Sequence, residues 1–184
     1  MTLPNALTLL RILAIPFFAI AVWYDRMWEA LAIFAGAGVT DLLDGWIART
    51  FNQRSRLGGI LDPAADKLLM TTAFILTSLP KDHLHMPMPV WVAIFSICRD
   101  VIISFVVVVA FVRSEPLNAR PSFLGKFTTG AELVAIGVCL LVNALGPRPW
   151  QGFVVPWVYY AMAICVLASG IHYFHRASRT SEAA

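Results

Sequence analysis

The chain has 184 residues, of which 59% are hydrophobic and 14% charged, with a formal net charge of +3 and a mean hydropathy of +0.72. Soluble domains are typically about half apolar, so a water-soluble globule is excluded and no nucleic-acid partner is expected. A bilayer crossing takes about 20 apolar residues; the length therefore suits about six helices in one membrane domain over 1–184, with no separate soluble module.

The apolar runs predict spans at 5–24, 28–49, 59–79, 89–113, 124–146 and 152–174, an all-α integral membrane bundle. Nothing basic precedes the first run and no small-residue cleavage site follows it, so the first helix is expected to stay. Pro16 falls inside it, where neighbouring helices tolerate a kink. The breaks are short and polar: YDRMWE, RTFNQRSR, PKDHLHMP, RSEPLNARPS and GPRPWQG. Trp28, Trp91, Trp150 and Trp157 fall near span ends, where amphipathic rings favour the interface. Cys98, Cys139 and Cys165 lie singly in apolar runs and read as small buried hydrophobes rather than disulfide or metal ligands. If the N-terminus is cytoplasmic, that side's loops and tail hold eight basic residues: Arg49, Arg54, Arg56, Arg113, Arg120, Lys126, Arg176 and Arg179. The other side holds three, Arg26, Lys81 and Arg148, so positive charge inside puts both termini in the cytoplasm.

The second span ends, and the third begins, with acids. Asp41, Asp44, Gly45 and Ala48 share one helix face, as do Asp62 and Asp66 on the next helix. At about 1.5 Å of rise per residue, Asp44 and Asp41 lie about 7 and 12 Å from Arg49, and Asp62 and Asp66 about 6 and 12 Å from Gly58. Two acidic faces thus arrive at matching depths beneath one membrane surface. An intramembrane aspartate costs on the order of 2.5–3.5 kcal/mol, and four together repel. Protonation relieves some of that; two divalent cations relieve more. Oxygen ligands without His or Cys favour Mg²⁺ or Mn²⁺ over zinc, and a two-metal clamp suits displacement at phosphorus. Gly45, Ala48, Gly58 and Gly59 leave room for a ligand near the backbone, and Arg49, Arg54 and Arg56 offer cations to phosphate. The structural alternative is an acidic helix pair sealed by internal salt bridges, but Arg49 alone does not offset four aspartates.

The run D-x-x-D-G-x-x-A-R, eight residues, then G-x-x-x-D-x-x-x-D, from Asp41 to Asp66, resembles the signature of the CDP-alcohol phosphatidyltransferases without gap or substitution. The opening Pro4-Asn5-Ala6-Leu7-Thr8-Leu9-Leu10-Arg11 is similar to that family's N-terminal stretch. The resemblance implies transfer of a phosphatidyl group from CDP-diacylglycerol to an alcohol, with release of CMP. It implies that Asp41 and Asp62 bridge two metal ions, that Asp44 and Asp66 each complete one ion's shell, and that Asp66 is also the general base. It further implies that Gly45, Arg49 and Ser55 contact the cytidine diphosphate, alongside Ala48 and Gly58, with Asn5 and Thr8 closing over it. A homodimer in the bacterial inner membrane, with its site facing the cytoplasm, is expected.

The acceptor is read from the second half. Arg99 and Asp100 interrupt the fourth span, either as a self-neutralising pair or as a substrate site. Arg113, Arg120 and Lys126 cluster around the next cytoplasmic loop, where they set topology, greet anionic lipid or take an acceptor phosphate. The stretch Arg99-Asp100-Val101-Ile102-Ile103-Ser104 resembles the glycerol 3-phosphate-using branch, the phosphatidylglycerophosphate synthases, although Val107-Val108 stands where that branch carries Arg-Glu. Arg120 to Lys126 resembles the CMP-forming cardiolipin synthases, which use phosphatidylglycerol. Glycerol 3-phosphate is the favoured expectation. His172, His175 and Arg176 are polar anchors or acceptor ligands; His83 and His85 are expected to do no chemistry. Two further alternatives are an intramembrane prenyltransferase, which usually carries two separated aspartate motifs, and a cation transporter, for which no acids continue toward the other face.

Overall fold

The computed structural model describes the backbone of residues 3–50, 58–79, 84–112 and 123–181, and the side chains of 6–43, 61–79, 84–105 and 124–171. Among these residues there are six helices and no strand: α1 (Leu3–Trp23), α2 (Met27–Thr50), α3 (Gly58–Ser78), α4 (Val90–Val112), α5 (Phe123–Leu145) and α6 (Gln151–Ser181). This is an all-α membrane protein. Three stretches, Ala6–Trp23, Leu124–Leu145 and Gln151–Ile171, are long and apolar enough to cross a bilayer. The other three helices, which the sequence also assigned to spans, are those carrying the charged residues at issue: α2 with Asp41 and Asp44, α3 with Asp62, Asp66 and Lys67, α4 with Arg99 and Asp100.

The chain divides into two compact units. One comprises Met1–Pro87 with Ile136–Arg148, the other Met88–Ala135 with Pro149–Ala184. In the first unit α1 and α2 form an antiparallel hairpin. The amide of Arg26 donates to the carbonyl of Ala21 at 2.8 Å and that of Asp25 to Val22 at 3.3 Å, the paired bonds of a Schellman helix ending. The residue at its left-handed position is Asp25, with φ of 60°; a short polar side chain accepts that conformation where glycine is more usual. The carbonyl of Arg26 then accepts from Ala30 at 2.9 Å, which starts α2 at once.

The buried residues of the hairpin recur at alternating steps of three and four. In α2 they are Met27, Ala30, Phe34 and Ala37; in α1 they include Phe18, Ala21 and Val22. That is the stripe of a helix packed along its length. At the far end from the turn the same α1 stripe runs into Thr8 and Arg11, both buried.

Asn143, near the end of α5, ties down the segment before α4. Its Nδ2 donates to the Met86 carbonyl at 3.0 Å, and the Met86 amide donates back to its Oδ1 at 3.1 Å. In the second unit Trp91 stacks on Tyr160, ring centroids 5.9 Å apart, joining α4 to α6. Thr128 of α5 donates to the Cys165 carbonyl of α6 at 3.2 Å.

Candidate active site

One face of α1 meets two of the acids. Arg11 Nη1 lies 2.9 Å from Asp41 Oδ1; the arginine side chain is 1% exposed and the aspartate 46%. Phe18 and Phe34 meet at a ring-centroid distance of 6.0 Å. Both pairs, 18 with 34 and 11 with 41, straddle position 26 symmetrically, so the hairpin turn sets a register that puts Arg11 opposite Asp41. They lie seven residues apart, about 10 Å along the helix. The hydroxyl of Thr8 donates to Asp62 Oδ1 across the α1–α3 contact. Thr8 and Arg11 are separated by three residues, about 4.5 Å along α1. Asp41 and Asp62 therefore come to that face from two different helices at neighbouring levels. Asp66, half-buried, follows Asp62 by one turn.

Of the residues singled out from sequence, Asn5, Asp44, Gly45, Ala48, Arg49 and Gly58 lie on described helical backbone, with their side chains outside the described residues. Ser55 and Arg120 lie outside them altogether, as do the side chains of His172, His175 and Arg176. The structure thus brings together Thr8, Asp41 and Asp62, and adds Arg11, which spacing arguments did not single out. Its signal was its place on the buried stripe of α1. Thr8 is itself fully buried and gives its hydroxyl proton to Asp62.

Among the described residues no three His, Cys, Asp or Glu side chains already converge as a metal-ligand group, and the side chain of Asp44 is not among them. The donors are nonetheless all carboxylate oxygens, which suit a hard divalent ion, and two of them are drawn to one helix face. By donor chemistry the residues fit Mg²⁺ or Mn²⁺.

The second unit holds a different polar group. Arg99 Nη1 bonds Asp100 Oδ1 at 2.7 Å, and Nη2 donates to Ser169 Oγ of α6 at 2.8 Å. Its Nε is buried without a hydrogen-bond partner among the described residues. The self-neutralising pair read from sequence does form, and a free donor remains beside it. Lys126 is exposed in the first turn of α5. Glu132 of α5, 1% exposed, is a buried acid that sequence reading passed over, although any ionisable residue in an apolar span marks a possible site. His85 binds the Val142 carbonyl through Nε2 at 3.1 Å, which pins its own segment to α5. A groove of about 630 Å³ lined by Phe17, Ile20, Tyr24, Arg26 and Glu29 lies toward the turn end of the hairpin, its α1 lining running from about 9 to about 20 Å along the helix from Arg11.

Carboxylates held at one end of apolar helices mark a membrane protein with a candidate polar site. Residues 1–169 match the profile of the CDP-alcohol phosphatidyltransferase family. The chain is 33% identical over 178 residues, 95% of its length and 94% of the relative's, to the CDP-diacylglycerol--glycerol-3-phosphate 3-phosphatidyltransferase of Shigella flexneri serotype 5b (strain 8401). It is 32% identical over the same span to the enzyme of that name from Escherichia coli (strain K12). The chain belongs to the CDP-alcohol phosphatidyltransferase family and is a transferase of phospholipid biosynthesis.

Proposed function

We propose that this chain transfers the phosphatidyl group of CDP-diacylglycerol to glycerol 3-phosphate, releasing CMP. The observation that carries the acceptor is the near full-length similarity to enzymes named for that reaction. The Arg99 site supports it, because a guanidinium with a spare donor suits a phosphate monoester.

Asp66 takes the proton of the acceptor hydroxyl, since an alcohol is a poor nucleophile without a base within hydrogen-bond reach. The oxygen then attacks the phosphorus that carries diacylglycerol, the bond from that phosphorus to CMP breaks, and CMP leaves with the electron pair. Two divalent cations, Mg²⁺ or Mn²⁺, held by Asp41, Asp44, Asp62 and Asp66, would neutralise charge on the diphosphate. Thr8 and Arg11 orient Asp62 and Asp41 from α1. Asn5, Thr8, Gly45, Ala48, Arg49, Ser55 and Gly58 bind the nucleotide lipid; Arg99, Arg120 and Lys126 bind the acceptor. Eight basic residues against three favour a site on the cytoplasmic side; the enzyme works in the bacterial inner membrane as a homodimer.

Protein purified in detergent micelles with CDP-diacylglycerol and Mn²⁺ or Mg²⁺ tests this. CMP release is expected to require both the metal and an added alcohol. Glycerol 3-phosphate should be preferred over phosphatidylglycerol, inositol phosphate and serine offered in parallel. Equal CMP release without any alcohol refutes the transferase reading, and a preference for phosphatidylglycerol moves the chain to the cardiolipin-forming branch.

A further inference from the structure

We propose that Arg11 is the resident counter-cation of the aspartate site, holding Asp41 while no divalent ion is bound and competing with an arriving ion for that carboxylate. The inference rests on the metal reading given under Proposed function.

Three observations carry it. The guanidinium is almost fully withdrawn, with 1% of its side chain exposed, while the carboxylate it meets at 2.9 Å is 46% exposed. The cation is thus the fixed member of the pair and the anion the reachable one. Arg11 is fixed because it stands on the same buried stripe as Phe18 and Val22, and a charge so placed stays only while it is paired. The third observation is the charge count. Four aspartates are neutralised by two divalent ions without Arg11; with it the loaded site carries one surplus positive charge. Arg11 therefore stabilises the empty site and weakens the loaded one, by repulsion between like charges at short range.

Thermal unfolding of the purified, detergent-solubilised chain, first in chelator and then along a Mn²⁺ titration, separates these effects without using turnover. Arg11→Met should melt earlier than wild type in chelator, and the Mn²⁺ concentration giving half of the maximal stabilisation should fall by about tenfold. Arg11→Lys keeps the charge and should stay within about threefold of wild type. Arg11→Gln keeps a donor at the buried position and carries the same expectation as Arg11→Met should the latter not fold. A half-maximal concentration that is unchanged or higher in the neutral variants, while wild type is stabilised by Mn²⁺, overturns the inference. A wild-type chain that Mn²⁺ does not stabilise overturns the metal reading itself, and the inference with it.

Discussion

The two charged places in this molecule are built in opposite ways. In the α1–α3 unit the buried member of the ion pair is the cation, with Arg11 1% and Asp41 46% exposed, and both the described carboxylate contacts come from another helix. In the unit of α4 and α6 both members come from one helix. Arg99 and Asp100 are sequence neighbours, 12% and 23% exposed, and a further bond ties the guanidinium to Ser169. An accessible carboxylate steered by a buried cation can change partners, as the proposed reaction requires of its acids. A guanidinium braced by its neighbour and by a second helix is a fixed post, suited to gripping a group that does not react. The difference teaches that charge inside a membrane chain is not one signal: which partner is withdrawn tells chemistry from binding.

The sharpest break of that comparison is Asp66→Asn. If the α3 acids do the chemistry, loss of the base should cut CMP release by about three orders of magnitude. The melting temperature should move little, because the amide fills the same volume. Single-turnover assays in micelles read the first and a thermal scan the second. Retained turnover would remove Asp66 from the reaction and leave the acids a structural role.

Arg99→Gln probes the other side of the comparison and should act on binding alone. Removing a charged donor is worth about 1.5–3 kcal/mol, so KM for glycerol 3-phosphate should rise by roughly ten- to a hundredfold. The kcat and the KM for CDP-diacylglycerol should hold within about threefold. A lowered melting temperature with both KM values unmoved would make Arg99 a brace between α4 and α6 and nothing more. Thr8→Val tests the acid side more gently. It keeps the shape but leaves Asp62 without its α1 donor, and a loss of about tenfold in kcat/KM is expected, restored by Thr8→Ser.

Most of this architecture was legible in the residues, for reasons that also mark where legibility stops. Helix ends predicted from apolar runs fall within a few residues of those observed for α1 to α5, since both are bounded by bilayer thickness. The last helix runs on to Ser181, beyond the expected 174, because a helix can continue into water where hydropathy no longer reports it. The acids were readable because i, i+3 and i, i+4 spacing is a local property. Arg11 was not, since its partner lies thirty residues away across a turn whose register depends on Asp25 adopting φ of 60°. Its position was still encoded. The buried stripe of α1 turns polar at Thr8 and Arg11, that of α4 at Ser96, that of α5 at Thr128 and Glu132, and that of α6 at Ser169. A stripe that changes from apolar to polar along one helix is a sequence pattern, and a stronger pointer than any single residue on it.

Ser169→Ala makes the smallest change and separates Arg99's two supports. Ser169 Oγ accepts from Nη2 while Asp100 holds Nη1, so its loss frees one edge of the guanidinium and leaves the charge in place. One hydrogen bond is worth about 0.5–1.5 kcal/mol net, which corresponds to roughly a two- to tenfold rise in KM for glycerol 3-phosphate. The double variant with Arg99→Gln should then behave like Arg99→Gln alone, because a residue acting only through another adds nothing once that other is gone. If the two losses instead multiply, Ser169 touches the acceptor in its own right, and the fixed post of the second unit has two members rather than one.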